Sequence, residues 1–162
     1  MIQTHTITAQ MPASLRTGPI ALPGLNVQLA ALCYRIVKDK PQILLVTSRG
    51  TKRWILPKGW PMEDRTPAEA ALQEAYEEAG VVGRVSPHPV GYYSYTKKLS
   101  DGQSLPCMAM VYPVRVHALL QDYREAGQRK RDWVSRKKAA SRVEEPDLAR
   151  LLKRFDPSGL HF

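Results

Sequence analysis

Apolar and polar positions follow two different periods along this chain, and each change of period marks a boundary. From Val27 to Val37 the run VQLAALCYRIV is apolar on both faces and rich in β-formers, as a strand buried on two sides should be. Lys38 to Pro41 supplies a turn, Gln42 to Thr47 returns as a second strand, and Trp54-Ile55-Leu56 is a short third. Between Thr66 and Gly80 the period becomes helical. Ala68, Ala71, Leu72, Ala75 and Ala79 form a narrow stripe of small side chains that lets a helix lie close to a sheet. Thr66 as N-cap, Pro67 at the first helical position and Glu69 as the far partner of a capping box start that helix, and Gly80 stops it.

Beyond Gly80, strands are expected over Val81 to Val85 and Val90 to Thr96, then a long strand region from Leu105 to Leu119, interrupted at Pro106 or Pro113. The stretch from Gln121 to Lys138 is dense in arginine and lysine, with Trp133 and Val134 as a short apolar anchor. Pro146 opens a last helix, in which Leu148, Leu151, Leu152 and Phe155 share a face. Strands on both sides of a central helix, with a terminal helix, predict an α/β (α+β) fold: an α/β/α sandwich around a mixed sheet. The expected divisions are an extended, proline-bearing arm over residues 1–26, one domain over 27–157 and a tail over 158–162.

Length and composition fit one globular domain: 162 residues, 43% of them hydrophobic. No run approaches the roughly 18 apolar residues of a membrane span, and the N-terminus has no secretory pattern, so a cytoplasmic protein with no membrane partner is expected. Cys33 and Cys107 sit in apolar segments and read as reduced core residues. His5, His88, His117 and His161 are scattered without ligand spacing. A formal charge of +9 points to an anionic partner without choosing among nucleic acid, acidic lipid and small polyphosphates.

The central helix carries the chemistry. Glu74, Glu77 and Glu78 stand at i, i+3 and i+4, so their carboxylates crowd one face in the last turn, where the helix dipole is also negative. A hard divalent cation neutralises such a group, and carboxylate oxygens suit Mg²⁺, with Mn²⁺ as second choice. The loop Pro57-Lys58-Gly59-Trp60-Pro61 leads into this helix, and Gly59 lets the backbone approach a bound group closely.

Gly59, Glu74, Glu77, Glu78, Gly80 and Val81 fall in the register of the Nudix box, and the chain from about Val27 to Phe155 resembles the Nudix hydrolase superfamily. Two positions depart from that pattern: Arg65 stands at its first glutamate and Gln73 at the arginine before the paired acid. The resemblance implies a fold with a mixed sheet between helices and metal-dependent hydrolysis of a phosphoanhydride bond. It implies metal ligation by Glu74, Glu77, Glu78 and the Gly59 carbonyl, catalytic roles for Glu77 and Glu78, and a general base on a box glutamate or a later loop. Glu125, in YREAGQRKRDWV, is the loop candidate, with Asp122 as competitor. Phosphate contacts are expected from Arg49, Arg53, Lys58, Arg65, Arg129 and Arg131, with Lys52 and Lys97 nearby.

The run SRGTKRWILPKGWPM is most similar to the diphosphoinositol polyphosphate and diadenosine polyphosphate phosphohydrolase branch, so a small anionic polyphosphate is the expected partner of a monomer or homodimer, ahead of nucleic acid. Two other readings stay open. One is a pyrophosphatase acting on ADP-ribose, a nucleotide or an RNA 5′ end, with Trp54, Trp60 or Tyr95 either stacking a base or packing the loop. The other is a non-catalytic module that binds polyanions through its basic surface.

Overall fold

The computed structural model describes residues 21–22 and 25–162, and in it the two longest apolar runs lie side by side at the centre of one mixed sheet. The arm expected over residues 1–26 falls, for residues 1–20 and 23–24, outside the described residues. Strand β1 (Ala21–Leu22) pairs antiparallel with the start of β2 (Leu25–Val37). Strand β3 (Lys40–Thr47) folds back on the far end of β2, from Tyr34↔Ile43 to Val37↔Lys40, and is edged by β4 (Trp54–Ile55). The two-residue strand β5 (Lys58–Gly59) takes the stretch of β2 that β3 leaves free, with Leu29↔Gly59 and Ala30↔Lys58.

Helix α1 (Pro67–Ala79) begins and ends on the residues its sequence signals name. The Thr66 side chain accepts from the Glu69 N–H, the Glu69 carboxylate accepts from the Thr66 N–H, and Gly80 adopts the left-handed conformation, φ 68°. Strands β6 (Val81–Val85) and β7 (Gly91–Lys98) both pair antiparallel with β8 (Ser104–Leu119), which runs parallel to β2 from Asn26↔Cys107 to Tyr34↔Arg115.

Strand β8 is not interrupted at either proline, contrary to the expectation from sequence. The Pro106 carbonyl faces the Asn26 side chain at the start of the β2 ladder, and the Pro113 carbonyl accepts from the Ser86 N–H where β6 has ended. Because a strand residue directs its N–H and C=O to the same side, the missing donor of each proline falls where the ladder is ending.

The basic stretch holds more structure than its composition suggests. Residues Arg131–Ser135 form β9, an antiparallel partner of β3 from Gln42↔Ser135 to Val46↔Arg131, and Arg136–Arg142 form α2, capped by the Ser135 hydroxyl. Helix α3 (Pro146–Arg154) and a short 3-10 turn (Pro157–Gly159) complete the described residues.

Side chains of β2 alternate between two cores. Val27, Leu29, Ala31 and Cys33 pack with the alanine stripe of α1, whereas Ala30, Leu32 and Tyr34 pack with Ala139, Leu148, Leu152 and Phe155 of the α2–α3 layer. The result is the α/β/α sandwich read from the sequence. Among the described residues no helix is long and apolar enough to cross a membrane. Cys33 and Cys107 are free and buried, and burial pushes the Cys33 thiol well above its ordinary range. Neither cysteine is therefore expected to react with iodoacetamide at pH 8 until denaturant is added; mass labelling of the native protein at either position would show that its segment opens.

Candidate active site

Strand β5 sets the geometry of the site, because its two residues face opposite sides of the sheet. Gly59 lies opposite Leu29 on the α1 side, and Lys58 lies opposite Ala30 on the α2–α3 side. A cleft of about 1070 Å³ surrounds this strand, lined on one side by Glu74, Glu78, Glu125 and Arg129 and on the other by Arg53, Tyr95, Glu144 and Glu145.

On the α1 side, Glu74 and Glu78 share a hydrogen bond between their carboxyl groups. Burial raises the Glu74 carboxyl to about 8, and the adjacent Glu78 charge adds to the shift. Glu78, only 6% exposed, is also raised by burial, against the opposing pull of the Arg129 guanidinium. Its Oε1 receives a long hydrogen bond, 3.4 Å, from the Lys58 backbone N–H. A Cβ added at Gly59 would lie inside the Glu74 carboxylate, so glycine is what allows this carboxyl to rest on the loop backbone. Gly59→Ala is expected to leave the melting temperature within about 3 °C, because only the flexible end of Glu74 must move, and to lower kcat/KM on a phosphoanhydride substrate about a hundredfold. Wild-type turnover in this variant would show that the contact is incidental.

Glu77 is held differently. Its Oε2 accepts from Gln73 Nε2 at 2.8 Å and its Oε1 from Arg124 Nη1 at 3.2 Å. Among the described residues no three His, Cys, Asp or Glu side chains are grouped closely enough to hold a metal ion together, and both oxygens of Glu77 are engaged by Gln73 and Arg124. The Glu74–Glu78 pair fits a divalent cation by its chemistry: hard oxygen donors, like charges forced together, and a proton taken up where a cation would otherwise balance them. Gln73, one of the two departures from the sequence pattern, keeps a polar bond to Glu77, while Arg124 brings a cation to Glu77 from the loop after β8.

The other expected residues divide by position. Glu125 lines the cleft, and its Oε1 accepts from Arg129 Nε at 2.8 Å, while Asp122 is exposed and outside the lining. Arg49, Arg53, Lys58 and Lys97 line the cleft, and burial lowers the Lys58 ammonium to about 8. Arg65 is exposed and outside the lining. Arg131 is also outside: its guanidinium donates to the carbonyls of Ala79 and Leu120 at 2.8 and 2.9 Å and lies over the Tyr123 ring, bracing the end of α1. Trp54 packs beneath the Arg142 guanidinium, and the Tyr95 hydroxyl is hydrogen-bonded to Gln28. Trp60, 42% exposed, stands at the cleft. Gln28, Glu144 and Glu145 also line it, and no sequence signal singled them out: Glu145 reads only as the residue before a helix-opening proline.

A family model described as the NUDIX domain matches residues 27–155. Diphosphoinositol polyphosphate phosphohydrolase 3-beta of Homo sapiens is 32% identical over 68% of this chain and 64% of its own length, so the chain spans under two thirds of that relative. Nudix hydrolase 12, mitochondrial, of Arabidopsis thaliana is 32% identical over 80% of this chain and 73% of its own length. Among solved structures, the binary complex of the C. elegans Ap4A hydrolase superposes with a TM-score of 0.58 at 18% identity, covering 78% of this chain and 92% of that one. The MutT protein from Methanosarcina mazei Go1 superposes with a TM-score of 0.60 at 22% identity, covering 82% and 93%. At these identities the structural likeness speaks for the fold alone.

Proposed function

Because the chain belongs to the NUDIX domain family, we propose that it hydrolyses a phosphoanhydride bond in a highly phosphorylated small molecule of the diphosphoinositol polyphosphate or diadenosine polyphosphate type, with Mg²⁺ or Mn²⁺, as a cytoplasmic monomer or homodimer. The observation that carries this reading is the carboxyl pair of half-buried Glu74 and buried Glu78, resting against Gly59 in a cleft that Lys58, Arg49, Lys97 and Arg129 also line. Glu74, Glu78 and the Gly59 carbonyl would hold the metal, with Glu77 joining once Arg124, itself 72% exposed and weakly held, releases it. When bound, the cation offsets charge on phosphate oxygens and makes a water more acidic.

The protein's own groups do the rest. Lys58, Arg53 and Arg49 grip phosphate oxygens, with cationic Lys97 beside them. Glu125 is the proton acceptor for the attacking water: it lines the cleft, lies within electrostatic reach of Glu74, and has one oxygen fixed by Arg129. Released phosphate should be measured in parallel from a diadenosine polyphosphate, an inositol pyrophosphate and ADP-ribose, with and without Mg²⁺. Turnover of one of the first two, abolished by chelation, is the expected result, and turnover of ADP-ribose alone would move the protein to another branch. Glu125→Gln should lower kcat about a hundredfold with metal dependence intact; full turnover in that variant would assign the base elsewhere.

A further inference from the structure

The second wall of the cleft, on the α2–α3 side of β5, is arranged around a carboxylate that leaves its local task undone. Glu145 occupies the N-cap position of α3, yet its side chain makes no capping hydrogen bond. It turns instead toward the loop between β3 and β4, 92 residues away in sequence, where Oε2 accepts from Arg53 Nη1 at 2.7 Å. Its Oε1 is closed to solvent, and among the described residues no donor meets it. An uncapped helix end and an unmatched buried oxygen both count against stability, so the needs of α3 do not explain where this carboxylate lies. What it secures is the direction of Arg53.

We propose that Glu145 is a positioning residue: it turns the Arg53 guanidinium so that its unused N–H groups meet a substrate phosphate next to the one at the Glu74–Glu78 pair. This rests on the phosphoanhydride reading above and adds to it a group that never touches the substrate. Both ends of Arg53 are fixed. Its backbone N–H donates to Ser48 Oγ at 3.1 Å and its carbonyl accepts from the Ser48 N–H at 2.8 Å, which closes the loop that carries it. Glu145 is held in turn by its neighbours: Val143 is buried in the α2–α3 core, and Arg142 pairs with Asp132 of β9 at 2.7 Å. The Arg53 side chain lines the cleft and is 23% exposed. Among the described residues its guanidinium makes no hydrogen bond besides the one to Glu145, which leaves Nε and Nη2 to a ligand. A free arginine side chain samples many rotamers, and pairing with a buried carboxylate holds it in one. Lys58 completes the wall. It lies within electrostatic reach of Arg53, which disfavours its charge, and of Glu145, which favours it, so one carboxylate lets two cations stand together beside a polyanion. Because Lys58 and Gly59 face opposite sides of β5, these cations stand on the other face from the acid pair and serve a phosphate that does not react.

Binding should then be lost without loss of chemistry or stability. Glu145→Ser can cap α3 with its hydroxyl but releases Arg53: the melting temperature is expected to stay within about 3 °C of wild type, KM on the phosphoanhydride substrate to rise about tenfold, and kcat to stay within about twofold. Glu145→Gln, whose amide oxygen still accepts from Arg53, should hold KM within about threefold of wild type. In an Arg53→Met background Glu145→Ser should change KM no further, because the carboxylate acts only through the guanidinium. Calorimetry with inorganic tripolyphosphate in EDTA reads the same contact without turnover, and the wild type should bind about tenfold more tightly than Glu145→Ser. Equal affinity of those two proteins, an equal loss in the Gln and Ser variants, or an undiminished effect of Glu145→Ser in the Arg53→Met background would each overturn the assignment. A fall in melting temperature with KM unchanged would make Glu145 a structural residue. Should Glu145→Ser fail to fold, Glu145→Asp, which can also cap α3 but is one methylene short of Arg53, carries the same comparisons. Tripolyphosphate binding that depends on Glu145, in a protein that hydrolyses no phosphoanhydride, would defeat the hydrolase reading only; Mg²⁺-dependent hydrolysis with affinity indifferent to Glu145 would defeat this one only.

Discussion

Glu78→Gln is expected to lower kcat on a phosphoanhydride substrate about a thousandfold, equivalent to roughly 4 kcal/mol of lost transition-state stabilisation, while leaving the metal-free protein within about 1 kcal/mol of wild-type stability. Both halves follow from its surroundings. The carboxylate is buried beside Glu74, and burial and the repulsion of Glu125 disfavour its charge against the opposing pull of Arg129 and Lys58. The amide has the same shape and can still hydrogen-bond Glu74, and it removes that repulsion. Millimolar Mg²⁺ should raise the melting temperature of the wild type, since a ligand that binds only the folded state stabilises it, and the variant should lose most of that increment. A variant that keeps both the metal-induced shift and turnover would remove Glu78 from the metal site. A variant that unfolds without metal would mean the carboxylate is a structural partner of Arg129 first.

How far the sequence carried the structure depended on whether a signal was local. Helix α1 was legible to the residue, because Thr66, Pro67, Glu69 and Gly80 act on the backbone beside them. Strand β5 was not: two residues cannot show a period, and its place is set by the part of β2 that β3 leaves unpaired. Strand β9 was hidden because only Trp133 and Val134 interrupt a charged run, and α2 because Ala139 alone is buried on it. Arg65 and Arg131 lie outside the cleft lining, since nearness in sequence to the loop, or a basic neighbourhood, does not place a side chain in the cleft. Glu145 needed coordinates, for only they show it leaving the cap unmade and pairing with Arg53.

Arg129→Met is expected to destabilise the protein by about 3 kcal/mol, a fall in melting temperature of roughly 6–12 °C for a chain of this size. The sequence offers Arg129 as a phosphate contact, but its surroundings give it an earlier task. The side chain is only 8% exposed; Nε donates to Glu125 at 2.8 Å, Nη1 to the Thr47 carbonyl at 3.2 Å, and Nη2 stands 3.9 Å from Glu78. Removing the guanidinium strands two partly desolvated carboxylates beside a third. The double variant Arg129→Met/Glu125→Gln should therefore recover about half the loss, because one of the stranded charges is gone and the two substitutions act on one interaction. Mg²⁺ should recover a further part, and do so less once Glu78 is also replaced by Gln. A side chain that served only to hold phosphate would give the opposite pattern: an unchanged melting temperature, a raised KM, and no benefit from neutralising Glu125.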